Sequence, residues 1–349
     1  MPSEGKGGNG MRALDKNQMR AIIDGKGHGE RIPLLFSIWM NAAPFHGDEA
    51  AYQEWISNKV CDVEEYYLNM PGFWEGPADA PEYRWAFGEK KWDDNAAIDS
   101  QVLIEDWDKA QPFYDTFPSP EYPGLVPKPE TDGSRYVLAR SWYTLFERHW
   151  SLRGMQNALM DFYDAPEEVH KLYQHLTDFY VRAIERAKLE MNADGFFLTD
   201  DIGAQSGPMF SLEVFREFFK PYYAQIARKA HDMGMHIWLH TCGNVTLFLE
   251  DFIEIGIDVL HPIQKYAMNA EEIAKKYGGR ICILAGFDVQ QVIPYGSAEE
   301  VRAEVRWLID TYRRSDGRLM LTMGNGATED WKVECLDALY EEALVYGRF

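Results

Sequence analysis

From about residue 130 onward, short β-like apolar runs alternate with amphipathic segments of helical length, and no other feature narrows the fold as far. The runs lie at 136–140, 195–199, 236–240, 258–261, 281–285 and 319–323. Between them stand helix start and stop signals. Asp164-Ala165-Pro166-Glu167 supplies a cap, an early proline and an acid ahead of the periodic stretch 169–191. Asn269-Ala270-Glu271-Glu272 and Ser297-Ala298-Glu299-Glu300 read as capping boxes, and Gly234 and Gly256 sit where helices should hand over to strands. Strands separated by helices imply a parallel sheet, because parallel neighbours need a crossover connection. Residues 33–38 read as one earlier strand. With the six later runs, and one strand that the pattern does not place, the count reaches eight and predicts a TIM-type (β/α)8 barrel. A doubly wound open sheet is the alternative, although no Gly-x-Gly-x-x-Gly or Walker A run supports nucleotide binding.

The chain has 349 residues, 46% of them hydrophobic, enough for one large barrel or two ordinary domains. The reading is a disordered tail over 1–12 and a single barrel over 13–349, with the homo-oligomeric state left open. Residues 66–130 interrupt the alternation with an aromatic-rich insertion in the N-terminal third. Tyr66, Tyr67, Phe73, Trp74, Tyr83, Trp85, Phe87, Trp92, Trp107, Phe113, Tyr114 and Tyr122 crowd there among prolines, glycines and acids. One or two of these rings are expected to face a ligand and the rest to form a satellite core. The formal charge of −21 disfavours nucleic acid and anionic membranes as partners. No apolar stretch approaches the ~20 residues that span a bilayer. The N-terminus lacks the apolar core of a signal peptide. Cys61, Cys242, Cys282 and Cys335 are widely spaced with no CxxC pair, so the expected location is a reducing cytoplasm.

In a barrel, chemistry sits where strands end. Thr199-Asp200-Asp201, His240 with Cys242, His261 before Pro262, Gly286-Phe287-Asp288 and Gly324-Asn325-Gly326 all fall at such ends, after apolar strand bodies. Buried polar groups are costly without partners, so five convergent cases point to a ring around one pocket. His240 and Cys242 are two apart and face the same way on an extended strand, and both are preferred zinc ligands. A buried histidine beside a free thiol is the structural alternative. Asp200 and Asp201 should diverge, so one of them enters the pocket to orient His240, ligate a metal or donate a proton. The candidate catalytic groups are therefore Asp200, Asp201, His240 and Asp288. The candidate substrate contacts are Trp39, Trp74, Gln205, His261 and Asn325. The candidate metal ligands are His240 and Cys242, with the third ligand not identified.

Phe146-Glu147-Arg148 with Leu152-Arg153-Gly154-Met155, Thr199-Asp200-Asp201-Ile202-Gly203-Ala204-Gln205, Phe215-Arg216-Glu217-Phe218-Phe219-Lys220-Pro221-Tyr222-Tyr223, His240-Thr241-Cys242-Gly243-Asn244 and Gly286-Phe287-Asp288-Val289-Gln290-Gln291 follow one another in this order. The series resembles the uroporphyrinogen decarboxylase superfamily over about residues 130–345. One branch of that superfamily decarboxylates uroporphyrinogen without a cofactor. The other moves methyl groups between a small substrate, a corrinoid protein and a thiol or related acceptor, usually with zinc. The Arg-Gln-Ala-Gly-Arg run of the decarboxylases is absent from Pro33-Leu34-Leu35-Phe36-Ser37-Ile38-Trp39-Met40. His240 and Cys242 match the zinc-binding His-x-Cys of the methyltransferase branch. The third cysteine of the corrinoid-to-thiol enzymes is replaced by Asn325, and Cys335 lies about ten residues further on. If zinc binds, a carboxylate such as Asp201 or another, unidentified group completes the set; without zinc, Cys242 is a buried or substrate-contacting thiol. The resemblance implies a methyltransferase that takes a methyl group from a methylated substrate, and the ring-rich insertion, with Trp74, Trp85 and Trp92, favours an aromatic methyl ether as the donor because a flat ring would stack there. The acceptor is the cobalt of a separate corrinoid protein. This chain has no Asp-x-His-x-x-Gly pattern of its own, so the cobalamin arrives on that partner. A cofactor-independent decarboxylase and a non-catalytic small-molecule-binding barrel are the alternatives.

Overall fold

The computed structural model describes residues 12–70 and 101–349. Seven strands form one sheet in chain order, every neighbouring pair parallel: β1 (Val63–Tyr67), β2 (Tyr136–Ser141), β3 (Gly195–Thr199), β4 (His236–His240), β5 (Val259–His261), β6 (Cys282–Phe287) and β7 (Leu319–Met323). The sheet curls into a TIM-type barrel. The six later strands fall where the apolar runs predict them. The strand that the pattern did not place is β1, whose Val-Glu-Glu-Tyr-Tyr sequence has two acids in its body and no apolar run. Tyr66 and Tyr67, read as the start of the insertion, lie on this strand.

Residues 33–38 depart from the expectation of a full strand. They make single bridges, Leu34 parallel to Leu321 and Leu35 antiparallel to Cys61. Leu35 N–H donates to the Leu321 carbonyl at 2.8 Å, Leu321 N–H to Pro33 at 2.9 Å and Asp62 N–H to Leu34 at 3.1 Å. The segment thus spans the gap between β7 and β1. Pro33 has no N–H to extend the ladder, and the chain turns at Trp39, whose φ is 75°.

Alternation along the strands sorts side chains into two cores. Tyr136, Leu138, Phe197, Trp238, Val259, Cys282, Leu284 and Met320 cluster together inside the barrel. Val137, Ala139, Phe196, Leu198, Ile237, Leu239, Leu260, Ile283 and Leu321 pack outward against the helices. The helix Lys16–Asp24 adds Met19, Ile22 and Ile23 to the inner cluster. Its flanks bond to the starts of the strands: Lys16 N–H to Ser134, Arg318 N–H to Ile22, and Asp24 to His236. This helix plugs the N-terminal end of the barrel and leaves the C-terminal mouth for chemistry.

Buried Asp62 fixes that closure. One of its oxygens accepts from Leu14 N–H at 2.8 Å and the other from Leu34 N–H at 2.7 Å, while the Arg31 guanidinium grips both at 2.8 and 2.6 Å.

Of the insertion's aromatics, Phe113 and Tyr114 pack around His175 on the long helix Pro166–Met191, and Trp107 packs on His149. Phe113 belongs to the outer core itself and Trp107 and Tyr114 pack against it, so these rings extend the main core rather than form a separate satellite. Phe73, Trp74, Tyr83, Trp85, Phe87 and Trp92 lie outside the described residues. No helix among the described residues is long and apolar enough to cross a membrane.

Candidate metal centre

Parallel register brings the strand ends level, with Thr199 beside His240 and His240 beside His261. The two imidazoles meet with Nδ1 to Nδ1 at 2.7 Å. His261 Nε2 lies 2.9 Å from the Met323 carbonyl, which can only accept, so Nε2 carries the proton and Nδ1 is the acceptor. His240 must then donate from Nδ1, and its Nε2 lone pair points away from the pair. That nitrogen faces Cys242 Sγ at 3.4 Å and Asp201 Oδ1 at 3.5 Å. Burial, then the Arg140 charge, lowers the His240 pKa to about 3. Burial, then His240, holds His261 well below its usual value. Both rings are therefore neutral at physiological pH, the form in which imidazole binds a metal. The His261→Leu protein should bind zinc about 10–100-fold more weakly, measured by chelator competition, because the partner that orients His240 is gone. Unchanged affinity would show that the relay does not set the ligand.

Asp201, His240 and Cys242 offer one ligand atom each, all within 4.8 Å of one another. Asp201 Oδ1 also accepts from Cys242 N–H at 2.7 Å, and Asn325 Nδ2 donates to Cys242 Sγ at 3.4 Å. Burial pushes the Cys242 thiol pKa up, and the nearby charges of Asp201 and Glu147 push it further. A cation held between these groups would reverse that and stabilise the thiolate. The donor set of one imidazole, one thiolate and one carboxylate suits zinc and leaves a coordination position open for substrate.

The turn behind the triad is tight. Gly243 has φ 79°, and a Cβ there would stand 2.3 Å from the Gly203 carbonyl carbon. Gly243→Ala should lower stability by at least ~1 kcal/mol and weaken metal binding together, as read by denaturant unfolding and metal content. Retention of both would refute the close-approach argument.

The two adjacent acids diverge, as strand alternation demands. Asp200 is fully buried and turned away from the triad. Its carboxylate accepts from Leu145, Phe146 and Glu147 N–H at 3.1, 3.1 and 2.8 Å, and from Tyr223 O–H at 2.5 Å. It caps the helix Phe146–Arg153 and ties β3 to the helix carrying Tyr223. Burial raises its pKa to about 6 against the lowering effect of those donors. The four donors to this carboxylate are backbone N–H groups of the helix start and the Tyr223 hydroxyl.

Asp288 lines a cleft with Cys242, Tyr266, Phe287 and Asn325. Its oxygens accept from Gln290 and Gln291 N–H, both at 3.0 Å, and from Tyr266 O–H at 2.7 Å. Asn325 borders the triad. Trp39 stacks on His261 with centroids 5.6 Å apart and meets His240 at 4.7 Å. Gln205 is exposed on the turn after Asp201. Trp74 lies outside the described residues. The structure thus brings Asp201, His240, His261, Cys242, Trp39 and Asn325 together, sets Asp288 in the same cleft as Cys242, and ties Asp200 to the start of the helix Phe146–Arg153.

Sequence reasoning did not single out two neighbours as site residues. Glu147 accepts from Thr199 Oγ1 at 2.7 Å, and its carboxyl is pushed well above its usual pKa by burial, then by Asp201 and Asp200. Only its place in Phe146-Glu147-Arg148 hinted at it. Arg140, near the end of β2, sits among four aromatic rings, and no motif marked it.

Residues 145–344 match the sequence profile of the family described as Uroporphyrinogen decarboxylase (URO-D). The chain belongs to the uroporphyrinogen decarboxylase family. Curated relatives named uroporphyrinogen decarboxylase include one from Xanthomonas axonopodis pv. citri, 26% identical over 228 residues. Another, from Xanthomonas euvesicatoria pv. vesicatoria, is 26% identical over 229 residues. In both cases the match covers 63% of this chain and 61% of the relative's length. A methyltransferase from Methanosarcina mazei shares the fold with a TM-score of 0.58 and 16% identity, over 94% of this chain and 98% of that one.

Proposed function

We propose that this member of the uroporphyrinogen decarboxylase family is a zinc-dependent methyltransferase. It would take a methyl group from a methylated substrate, an aromatic methyl ether, for delivery to the cobalt of a separate corrinoid protein. The observation that carries this reading is the Asp201–His240–Cys242 triad at the barrel mouth. The likeness in fold to a methyltransferase is in keeping with it. Asp201 supplies the third ligand that the family resemblance leaves open. Zinc, when bound there, would act as a Lewis acid toward the leaving oxygen.

The chain's own residues do the rest. Met323 and His261 hold His240 in the tautomer that presents Nε2. Glu147, whose carboxyl is pushed well above its usual pKa by burial and then by Asp201, is placed to serve as the proton source for a leaving phenolate. Trp39 supplies a flat face against the two histidines. The cobalamin belongs to the partner, and positioning the methyl group in line with it is the task of the mouth as a whole.

Decarboxylation is the second reading, favoured by the names of the curated relatives. The carboxyls of Glu147, Asp201 and Asp288 around the mouth are poorly suited to a polycarboxylate substrate. Purified protein loaded with zinc, a corrinoid protein in its reduced state and a panel of methoxyarenes separates the two. The expected result is loss of the ether and appearance of the corresponding phenol, dependent on both zinc and the corrinoid protein. Demethylation of no methoxyarene, together with release of carbon dioxide from an acid substrate by zinc-free protein, would overturn the proposal.

A further inference from the structure

Arg140 is 1% exposed, and its guanidinium is only partly used. Nη1 pairs with Glu65 Oε2 on the adjacent strand. Nη2 is buried and has no hydrogen-bond partner among the described residues, and neither has the buried indole Nε1 of Trp39. The two groups are neighbours: Arg140 Cζ lies 4.7 Å from the Trp39 ring centroid. A buried donor left unmade is costly, and two at one place call for a shared acceptor. The backbone is also held under tension here, because Trp39 sits at φ 75°, a region that a bulky residue enters only when its surroundings impose it.

The surroundings describe what that acceptor is attached to. Tyr67, Phe197 and Trp142 place their rings 4.7, 4.9 and 5.1 Å from Arg140 Cζ. Tyr67 and Trp142 stack on one another at 5.8 Å and are half-exposed, forming a roof at the barrel mouth. Below, the same Trp39 ring meets His240 at 4.7 Å. One side of Trp39 thus faces the Arg140 guanidinium and another faces the His240 imidazole of the candidate metal site.

We propose that Arg140 and Trp39 form a recognition site for the anionic oxygen of an aromatic ligand, a carboxylate or a phenolate on the ring. The inference rests on the methyl-ether reading and narrows it, because it makes the donor a methoxyarene that carries a negative charge. The guanidinium offers Nη2–H, the indole offers Nε1–H, and the roof rings slide against the aromatic body. A neutral amide can still accept from these donors but lacks the charge that strengthens the pairing, and an analogue with no acceptor leaves both donors buried and unpaired.

Binding tests this without turnover. The full chain is titrated with benzoate, phenolate, benzamide and cyclohexanecarboxylate by calorimetry, in the unaltered protein and in Trp39→Phe and Arg140→Lys. Benzoate or phenolate should bind at least about tenfold more tightly than benzamide, and benzoate more tightly than cyclohexanecarboxylate. Trp39→Phe keeps an aromatic ring and loses the N–H, so it should weaken the anion more than benzamide, because the lost bond is charge-assisted only for the anion. It also keeps the test decisive if Arg140→Lys does not fold. Equal affinity for benzoate and benzamide, no binding of either anion, or an undiminished anion affinity in Trp39→Phe would overturn the site. Anion binding without demethylation of any methoxyarene leaves the recognition site standing and removes the reaction. Demethylation of neutral methoxyarenes as fast as methoxybenzoates keeps the reaction and removes the site.

Discussion

Cys242→Ala protein is expected to purify with almost no zinc and to lose methyl transfer by about 10³-fold or more, while keeping its fold. The thiol is one of three donors within 4.8 Å, and a lost Lewis acid removes several kcal/mol of charge stabilisation. Asp201→Ala should behave alike, and an Asp201→Ala protein that retains full zinc would refute the assignment of the third ligand. The reverse change is also informative. Asn325 Nδ2 is 3.4 Å from Cys242 Sγ, so Asn325→Cys places a second thiol at the cluster and should tighten metal binding.

Affinity should depend on pH in a defined direction. Burial and neighbouring carboxylates raise the Cys242 pKa, so binding must displace the thiol proton. His240, lowered to about 3, is already neutral above roughly pH 5 and adds no proton of its own. Zinc affinity should therefore rise with pH through the neutral range, about one proton being released from the thiol per metal bound. Calorimetry in buffers of different ionisation enthalpy measures that number. Release of no proton would show that the thiol does not ligate.

Asp62→Ala is expected to lower stability by about 3–5 kcal/mol, read as a shifted midpoint in urea unfolding. The substitution strands the Arg31 guanidinium, 1% exposed, without the carboxylate that it pairs with among the described residues. It also orphans the backbone N–H groups of Leu14 and Leu34, which stitch the closing segment to β1. Replacing both members, Arg31→Met with Asp62→Leu, should cost less than Asp62→Ala alone, because no uncompensated charge stays behind. A single variant as stable as the parent protein would mean that the barrel closes through apolar contacts alone.

Much of the barrel was legible because burial writes itself into a local pattern. A strand packed on both faces must be apolar along its length, so 195–199, 236–240 and 319–323 announced β3, β4 and β7 without reference to anything distant. Where burial is incomplete the pattern fails. β1 carries Glu64 and Glu65, and Glu65 is tolerated because Arg140 on the neighbouring strand neutralises it, a partner 75 positions away. Residues 33–38 look like a strand for the opposite reason. Their apolarity reflects burial in the seam between β7 and β1, and apolarity alone does not specify a ladder.

The candidate site divides along the same line. The sequence by itself determined which strand ends are polar, that His240 and Cys242 share a face, and that Asp200 and Asp201 cannot both point the same way, since each follows from the period of two. Only the tertiary structure decided which acid joins the triad. Asp200 is taken up by the N-terminus of the helix after β2 and by Tyr223, and this leaves Asp201 to His240 and Cys242. The proton positions on His240 depend on His261 and the Met323 carbonyl, brought alongside by β5 and β7. The unused donors of Arg140 and Trp39 are visible only once two segments about a hundred residues apart are packed together. Periodicity is a local consequence of burial and survives in one dimension. Ligand sets and proton positions are pairwise properties of groups distant in sequence, and they exist only after the chain has closed.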